Sequence, residues 1–352
     1  MDISSLGYAA ARDRHMMDRN SLIQRFLFSV GWGNAQRVQI AGDASNRTYD
    51  RLERSTGETA ILMDAPIERG EDVRPFVRIA EHLRHEGFSA PEILGQDPRN
   101  GLLLIEDFGD GLFARLIADD PDRQDDLYAL ACDVLVAVRD IPKMDLPLCD
   151  ANWLVDMLEP VFDWYALESH KTAQDQFVAA FRPLAEKVAQ AGTVLSLRDY
   201  HVENLILLPD REAVAQVGLL DFQDATLAHP AYDLVSVLQD ARRDVPPKLE
   251  AEMLNRYLAR TNESPAAFRE AYALIGLQRN LRIVGVFARL CLRDGKPDYL
   301  DKIPRVWGYV QRNLKHPSLQ PLAPLLAACL PEPTTSHLNE IRRACRPNLS
   351  QP

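Results

Sequence analysis

The sequence predicts an α+β fold of two lobes: a small sheet of five strands with one inserted helix, then a larger, mainly helical part. Three observations predict it. The chain has 352 residues, more than one hydrophobic core usually serves. Short apolar runs bounded by turn residues recur between Val38 and Ile105, as strands require. Beyond Gly111 the apolar spacing changes to three and four residues, the period of helices.

The elements follow in order. Residues 1–20 have no clear period and read as an arm. Leu22, Ile23, Phe26, Leu27 and Val30 fall at helical spacing, and Gly31 ends that run. Val38–Ile40, Thr48–Leu52 and Thr59–Met63 read as strands, with a small-residue turn at Gly42–Arg47 between the first two. Val73, Phe76, Val77, Ala80 and Leu83 mark an amphipathic helix ending at Gly87. Pro91–Gly95 and Gly101–Ile105 complete the five strands. The first lobe is placed at 21–108, and the glycines of Glu106–Gly111 mark the connector.

The second lobe, 109–315, has helical patterns at 127–138, about 152–169, about 173–190, 231–243, 248–261 and 265–293. The last begins with Ser264 and Pro265, a cap followed by proline at the first position. A pattern over 298–314 contains Pro304, which predicts a kink or a late start. From His316 to Pro352 the chain is proline-rich and reads as a peripheral strap.

Composition narrows function. The formal charge of −11 argues against nucleic acid or an anionic membrane as partner, since both need a basic face. Five widely spaced cysteines without a Cys-x-x-Cys pair suit reduced thiols, not a disulfide framework or a zinc site. No apolar run approaches the ~20 residues of a membrane span, and the N-terminus lacks a signal-peptide core. The expectation is a cytoplasmic protein with a small-molecule substrate; nothing here indicates an oligomeric state.

Ser196–Asp233 carries the chemistry. Leu205–Leu208 and Val217–Phe222 read as two buried strands joined by Pro209-Asp210-Arg211. Asp199 and Asn204 then sit on the loop before the first strand, and Asp221 at the end of the second. Acid, amide and acid around one small hairpin suit phosphoryl transfer. One group orients and deprotonates a hydroxyl, and the other two hold magnesium on the phosphates of ATP. The same residues could instead cap turns and bond loop amides.

Two upstream segments could serve the nucleotide. In Gly42–Arg47 the backbone of Gly42 and Asp43, with Ser45 and Arg47 as side-chain donors, could cradle phosphate, or form an ordinary hairpin turn. Backbone groups of Glu106 and Phe108 could hold a base, or belong to a plain linker.

Leu197-Arg198-Asp199-Tyr200-His201-Val202-Glu203-Asn204 resembles the catalytic loop of the aminoglycoside phosphotransferase family, and Leu219-Leu220-Asp221-Phe222-Gln223 its metal-binding strand end. The resemblance spans about residues 21–315. It implies a two-lobed protein-kinase-like fold, whose smaller lobe is an antiparallel sheet, using ATP and Mg²⁺. Ala41–Ser45, Met63-Asp64-Ala65-Pro66, Asp221–Ala225 and Phe287–Leu290 are further similar to a bacterial branch of anomeric amino-sugar kinases acting on N-acetylmuramate and N-acetylglucosamine. By that resemblance Asp199 is the base, Asn204 and Asp221 are the metal ligands, Gly42–Arg47 covers the phosphates and Asp233 braces the catalytic loop.

Two departures qualify it. Leu197 stands where the family commonly has His. Thr59–Asp64 contains no lysine for the α/β-phosphates; Arg47 or Arg51 is the candidate replacement, and a nucleotide-binding pseudokinase is the alternative that this absence motivates. An aminoglycoside or other small alcohol is the alternative acceptor. For the acceptor site, His201, Glu203 and Asp224 lie near Asp199 in the chain. Arg279, Asn280, Arg282 and Arg289 lie on the long helix, facing either the site or solvent; one such arginine would suit the lactyl carboxylate of N-acetylmuramate.

Overall fold

The computed structural model describes residues 19–40, 46–167 and 170–345. The chain divides into two compact units, one running to Leu112 and including Ile206–Gln223, the other Phe113–Leu205 with Asp224 onward. A single crossing near residue 108 therefore does not describe the chain path: it returns to the first unit at Ile206 and leaves again after Gln223.

In the first unit, apolar residues at two periods meet. A helix over 19–29 (α1) buries Ile23, Phe26 and Leu27, spaced at i, i+3 and i+4. Strands β1 (Gln36–Ile40), β2 (Thr48–Glu53), β3 (Thr59–Asp64), β4 (Ile93–Asp97) and β5 (Leu102–Glu106) form one antiparallel sheet in the order β1-β2-β3-β5-β4. Leu52, Ala60, Leu62, Leu102 and Leu104 cluster with the α1 residues and Trp32. Each such large side chain contributes on the order of 2 kcal/mol by leaving water. The alternation places Tyr49, Arg51, Ile61, Met63, Leu103 and Ile105 on the opposite face, paired across strands as Tyr49↔Met63↔Leu103 and Arg51↔Ile61↔Ile105. The helix α2 (Arg74–His85) buries Phe76, Val77, Ile79, Ala80 and Leu83, and Phe76 stacks on Phe222 with ring centroids 4.8 Å apart.

Two nested pairs of short strands follow: β6 (Val194–Ser196) with β9 (Thr226–Ala228), and between them in sequence β7 (Leu205–Leu207) with β8 (Val217–Leu219). The β7–β8 hairpin belongs largely to the first unit. The Leu219 N–H donates to the Ser89 carbonyl at 2.7 Å, and the Phe108 ring lies where a Cβ on Gly218 would come within 2.7 Å. Only glycine lets the hairpin lie this close to the connector. The strands are shorter than the apolar runs suggest: β8 stops at Leu219, and Phe222 is buried beyond it. The pair β6–β9, three residues a strand, is too short to show a period.

The second unit is built around α9. In chain order its helices are α3 (Phe113–Asp119), α4 (Gln124–Ala137), α5 (Ala151–Asp156), α6 (Lys171–Ala189), α7 (Ala231–Leu238), α8 (Pro247–Ala259), α9 (Pro265–Leu292), α10 (Ile303–Asn313), α11 (Leu322–Cys329) and α12 (Thr335–Ala344). Every residue from Ala271 to Leu281 in α9 is buried, as for a helix packed on all sides; α7, α10 and α12 pack against it. Its buried polar groups are paired in part: Asn280 Nδ2 donates to Gln239 Oε1 at 2.7 Å and Gln239 Nε2 to Glu250 Oε1 at 3.0 Å, while the fully buried Gln278 amide and Asn280 Oδ1 have no partner among the described residues.

Several helices depart from their sequence patterns for local reasons. The pattern over 152–169 yields only α5, because Pro160 follows and the chain makes a π-helical turn at Val161–Tyr165. The pattern over 231–243 stops at Leu238, and the Asp240 carboxylate accepts the Arg242 N–H at 2.9 Å to form a turn. Pro304 sits in the first turn of α10, after a 3₁₀ turn at Pro297–Lys302, so this helix begins late. The segment read as a peripheral strap is helical and packed as far as residue 345: Leu319, Leu322, Leu326, Cys329 and Ile341 are buried, with α11 against α6 and α12 against α9.

The start of α7 carries a pH-sensitive contact. The buried His229 accepts the Ala231 N–H on Nδ1 at 3.1 Å. Burial, the largest cause, pushes its pKa down to about 4; Arg139 adds to this and Glu263 opposes it. The unfolded chain binds this proton from about pH 6.5 downward while the native state refuses it, so stability is complete above that value and is lost as pH falls. Between pH 7 and 5 this group is expected to cost about 2 kcal/mol. Urea melts of wild type and His229→Asn, which keeps an acceptor without titrating, measure it: the variant loses less stability over that interval by about that amount.

Candidate active site

Three hydrogen bonds to one carboxylate shape the loop that leads into Asp199. Asp233, in the first turn of α7 and buried, accepts Ser196 Oγ at 2.8 Å, the Leu197 N–H at 2.6 Å and the Arg198 N–H at 2.9 Å. Burial pushes its carboxyl up to about 6, while those three donors and the charge on Arg279 pull the other way. Arg198 is held at φ +65, a conformation that costs a residue with a side chain roughly 1–2 kcal/mol. Its restraints are many. Ser236 Oγ donates to its carbonyl at 3.1 Å, its Nη1 to the Asp224 carbonyl at 3.2 Å, and its guanidinium lies 5.6 Å from the Trp153 ring centre.

Asp199 follows directly. Its carboxylate is partly exposed and bonded to no described side chain. Its backbone carbonyl accepts Asn204 Nδ2 at 2.9 Å, which fixes the amide of Asn204 relative to the acid. Between them lies His201, buried, with Nε2 2.9 Å from Arg242 Nη1 and 3.4 Å from Asn204 Nδ2. A guanidinium only donates, so this ring nitrogen accepts. Burial, then the charges of Arg242, Arg279 and Arg243, push the His201 pKa down to about 2, so the ring is neutral. Glu203 is exposed and pairs with Arg242 Nε at 2.9 Å.

The first unit holds Asp221, in a turn at φ +56 rather than on the strand itself. Its Oδ1 accepts Gln223 Nε2 at 2.7 Å. Nearby Tyr49 has a pKa raised by burial first, lowered by Arg47 and raised again by the charge of Asp221. Arg47 Nε meets Glu71 Oε2 at 2.7 Å, both largely buried. Arg51 Nε pairs with Asp107 at 2.8 Å and its Nη1 with Asp110 at 2.9 Å, so Arg51 ties the strand to the connector. Of the two candidate replacements for the strand lysine, Arg47 is the one that shares a neighbour, Tyr49, with Asp221. Asp64, in the segment quoted for the narrower resemblance, pairs with Arg19.

The connector residues are also constrained. The Glu106 N–H donates to the Glu92 carbonyl at 2.9 Å, which excludes it as a donor to a base. The Glu106 side chain is bound by Arg211 and by Arg84. Phe108 lies under the Arg211 guanidinium at 5.2 Å. Gly42, Asp43 and Ser45 lie outside the described residues.

On the long helix, burial separates the candidates. Arg279 is 8 % exposed and gives Nη2 to Ser236 Oγ at 2.6 Å. It faces neither solvent nor an open site and works as a brace beside Asp233. Asn280 belongs to the core network. Arg289 is half-buried, with Nε enclosed and without a partner among the described residues; burial and Arg293 lower its pKa. Asp224 is exposed and offers its backbone carbonyl to Arg198. Sequence reading did not single out Tyr49, Glu71 or Arg242, because no local pattern announces them: Glu71 lies 24 residues from its partner Arg47, and Arg242 lies 41 from His201.

A braced loop carrying acid and amide, with a second acid on a separate hairpin, can be compared with known proteins. Residues 37–271 match the model of the family described as "Phosphotransferase enzyme family". The chain belongs to this family. Among relatives, the N-acetylmuramate/N-acetylglucosamine kinase of Caulobacter vibrioides is 38% identical over 348 residues, covering 87% of this chain and 95% of that protein. The protein of the same name from Pseudomonas aeruginosa is 32% identical, with 88% and 94% covered. Among solved structures, choline kinase LicA from Streptococcus pneumoniae superposes with TM-score 0.62 at 14% identity, covering 85% of this chain and 99% of that one. A choline/ethanolamine kinase family protein from Mesorhizobium loti gives 0.60 at 12%, with 92% and 99% covered. This phosphotransferase therefore has the protein-kinase-like fold. Among its described residues no helix is long and apolar enough to cross a membrane.

Proposed function

We propose that this phosphotransferase is an ATP- and Mg²⁺-dependent kinase of amino sugars, transferring the γ-phosphate to the anomeric hydroxyl of N-acetylmuramate and N-acetylglucosamine. The observation that carries the reading is the catalytic loop: Asp233 spends three hydrogen bonds to hold Ser196–Arg198, strain included, immediately before Asp199. Such an investment suits a group that must be positioned, and phosphoryl transfer depends mainly on positioning and charge neutralisation. The choice of acceptor is supported by the names of the relatives.

In this reading Asp199 orients the sugar hydroxyl and accepts its proton. Asn204 and Asp221 are the magnesium ligands, and their donors fit: hard oxygens, few in number, as an ion that keeps waters and phosphates requires. Magnesium supplies charge neutralisation at the phosphates. Arg47, set by Glu71, contacts the phosphates in place of a strand lysine, with Tyr49 beside it. The Glu106 carbonyl and Phe108 backbone face the base. Arg282 and Arg289 have no assigned role. An assay of ADP release with N-acetylmuramate, N-acetylglucosamine, kanamycin and choline in parallel tests the acceptor. Turnover on the two sugars is expected; turnover on kanamycin or choline alone overturns it. ATP binding without magnesium and without turnover on any acceptor marks a pseudokinase.

A further inference from the structure

The second unit fastens one arginine directly to the catalytic loop. Arg242 lies beyond the end of α7, where its N–H is held by Asp240 at 2.9 Å. Its Nε meets Glu203 at 2.9 Å and its Nη1 meets His201 at 2.9 Å. Both partners lie within four residues of Asp199, and His201 also touches Asn204. Three arginines surround His201, but they are used differently. Arg279 is buried against Ser236, and Arg243 gives Nη2 to the Ala114 carbonyl at 3.4 Å. Arg242 alone of the three keeps an open edge: its side chain is 36% exposed, and Nη2 has no partner among the described residues.

We propose that Arg242 recognises a carboxylate on the acceptor and so sets the preference for an acidic over a neutral amino sugar. The inference rests on the sugar-kinase reading. N-acetylmuramate and N-acetylglucosamine differ by one lactyl ether, whose carboxylate suits the planar fork of a guanidinium. Position favours the acceptor over the nucleotide, because Arg242 hangs from the loop that bears the proposed base. Its geometry is preorganised: two nitrogens are already fixed, so little side-chain entropy remains to be lost on binding. Glu203 keeps the cation from being an uncompensated charge when the site is empty of anion, and its own exposure lets water share that task.

The test is the ratio between the two sugars. Steady-state kcat/KM at saturating ATP is measured for both with wild type, Arg242→Ala and Arg242→Lys. Loss of a charge-assisted contact predicts that Arg242→Ala lowers the N-acetylmuramate value about 10- to 100-fold further than the N-acetylglucosamine value. The lysine variant falls between, since it keeps charge but not the fork. Equal losses on both sugars assign Arg242 to the phosphates or to loop positioning and overturn the proposal, as does no loss on either. Calorimetric binding of each sugar reads the same ratio without turnover. Sugar turnover without the ratio defeats Arg242 alone; the binding ratio without turnover defeats the kinase reading alone; no binding of either sugar defeats both. Circular dichroism and melting temperatures of both variants exclude misfolding as the cause.

Discussion

Asp199→Asn is expected to lower kcat about 10³-fold, within the range that a positioned general base contributes. The substitution keeps size and hydrogen-bonding shape, and Asp199 accepts no bond from a described side chain, so nothing in the fold relies on its charge. The contacts that hold the loop run through its backbone: its carbonyl accepts Asn204, and its N–H donates to Leu197 at 2.8 Å. These survive the change. Melting temperature and ATP binding should therefore stay near wild type while turnover collapses. Single-turnover measurement at saturating sugar checks this, since it reads the chemical step itself. A variant with full turnover refutes the assignment of Asp199 as base.

Asp221→Asn is expected to raise the magnesium concentration for half-maximal rate at least about tenfold, and to cut kcat about 100-fold, because a carboxylate ligand becomes a neutral amide. Asparagine is the right substitution here. The residue sits at φ +56, a region asparagine enters readily, whereas alanine would add roughly 1 kcal/mol of backbone strain and confuse folding with catalysis. Gln223 would still find an amide oxygen to donate to. Magnesium titrations at fixed ATP, with melting curves alongside, separate metal affinity from stability. An unchanged magnesium dependence removes Asp221 from the metal site.

The two residues were legible in the sequence for the same reason. Each follows or precedes a short apolar run, and turn chemistry places polar residues there regardless of distant contacts. Asp233 was named only through resemblance, and the three bonds to Ser196–Arg198 supply the physical account. The long helix shows where pattern reading stops. Residues 279, 282 and 289 suggest a face by spacing, but helical spacing reports which residues are neighbours and not which side of the helix is covered. Packing by α7 and α10 turns Arg279 inward, and Asn280 with it.

What the sequence determined by itself is the kind of each long element and the position of Asp199, Asn204 and Asp221 along the chain. Periodicity and turn chemistry depend on residues a few places apart, so they are written locally. Tertiary structure decided the partners of the charges: Arg47 with Glu71, 24 residues on; Arg242 with His201, 41 away; Arg51 with Asp107, 56 away. An arginine can pair with any carboxylate the fold brings within reach, and proximity across such separations is created by the packing of whole elements. The choice between Arg47 and Arg51, open in the sequence, rests on those pairings.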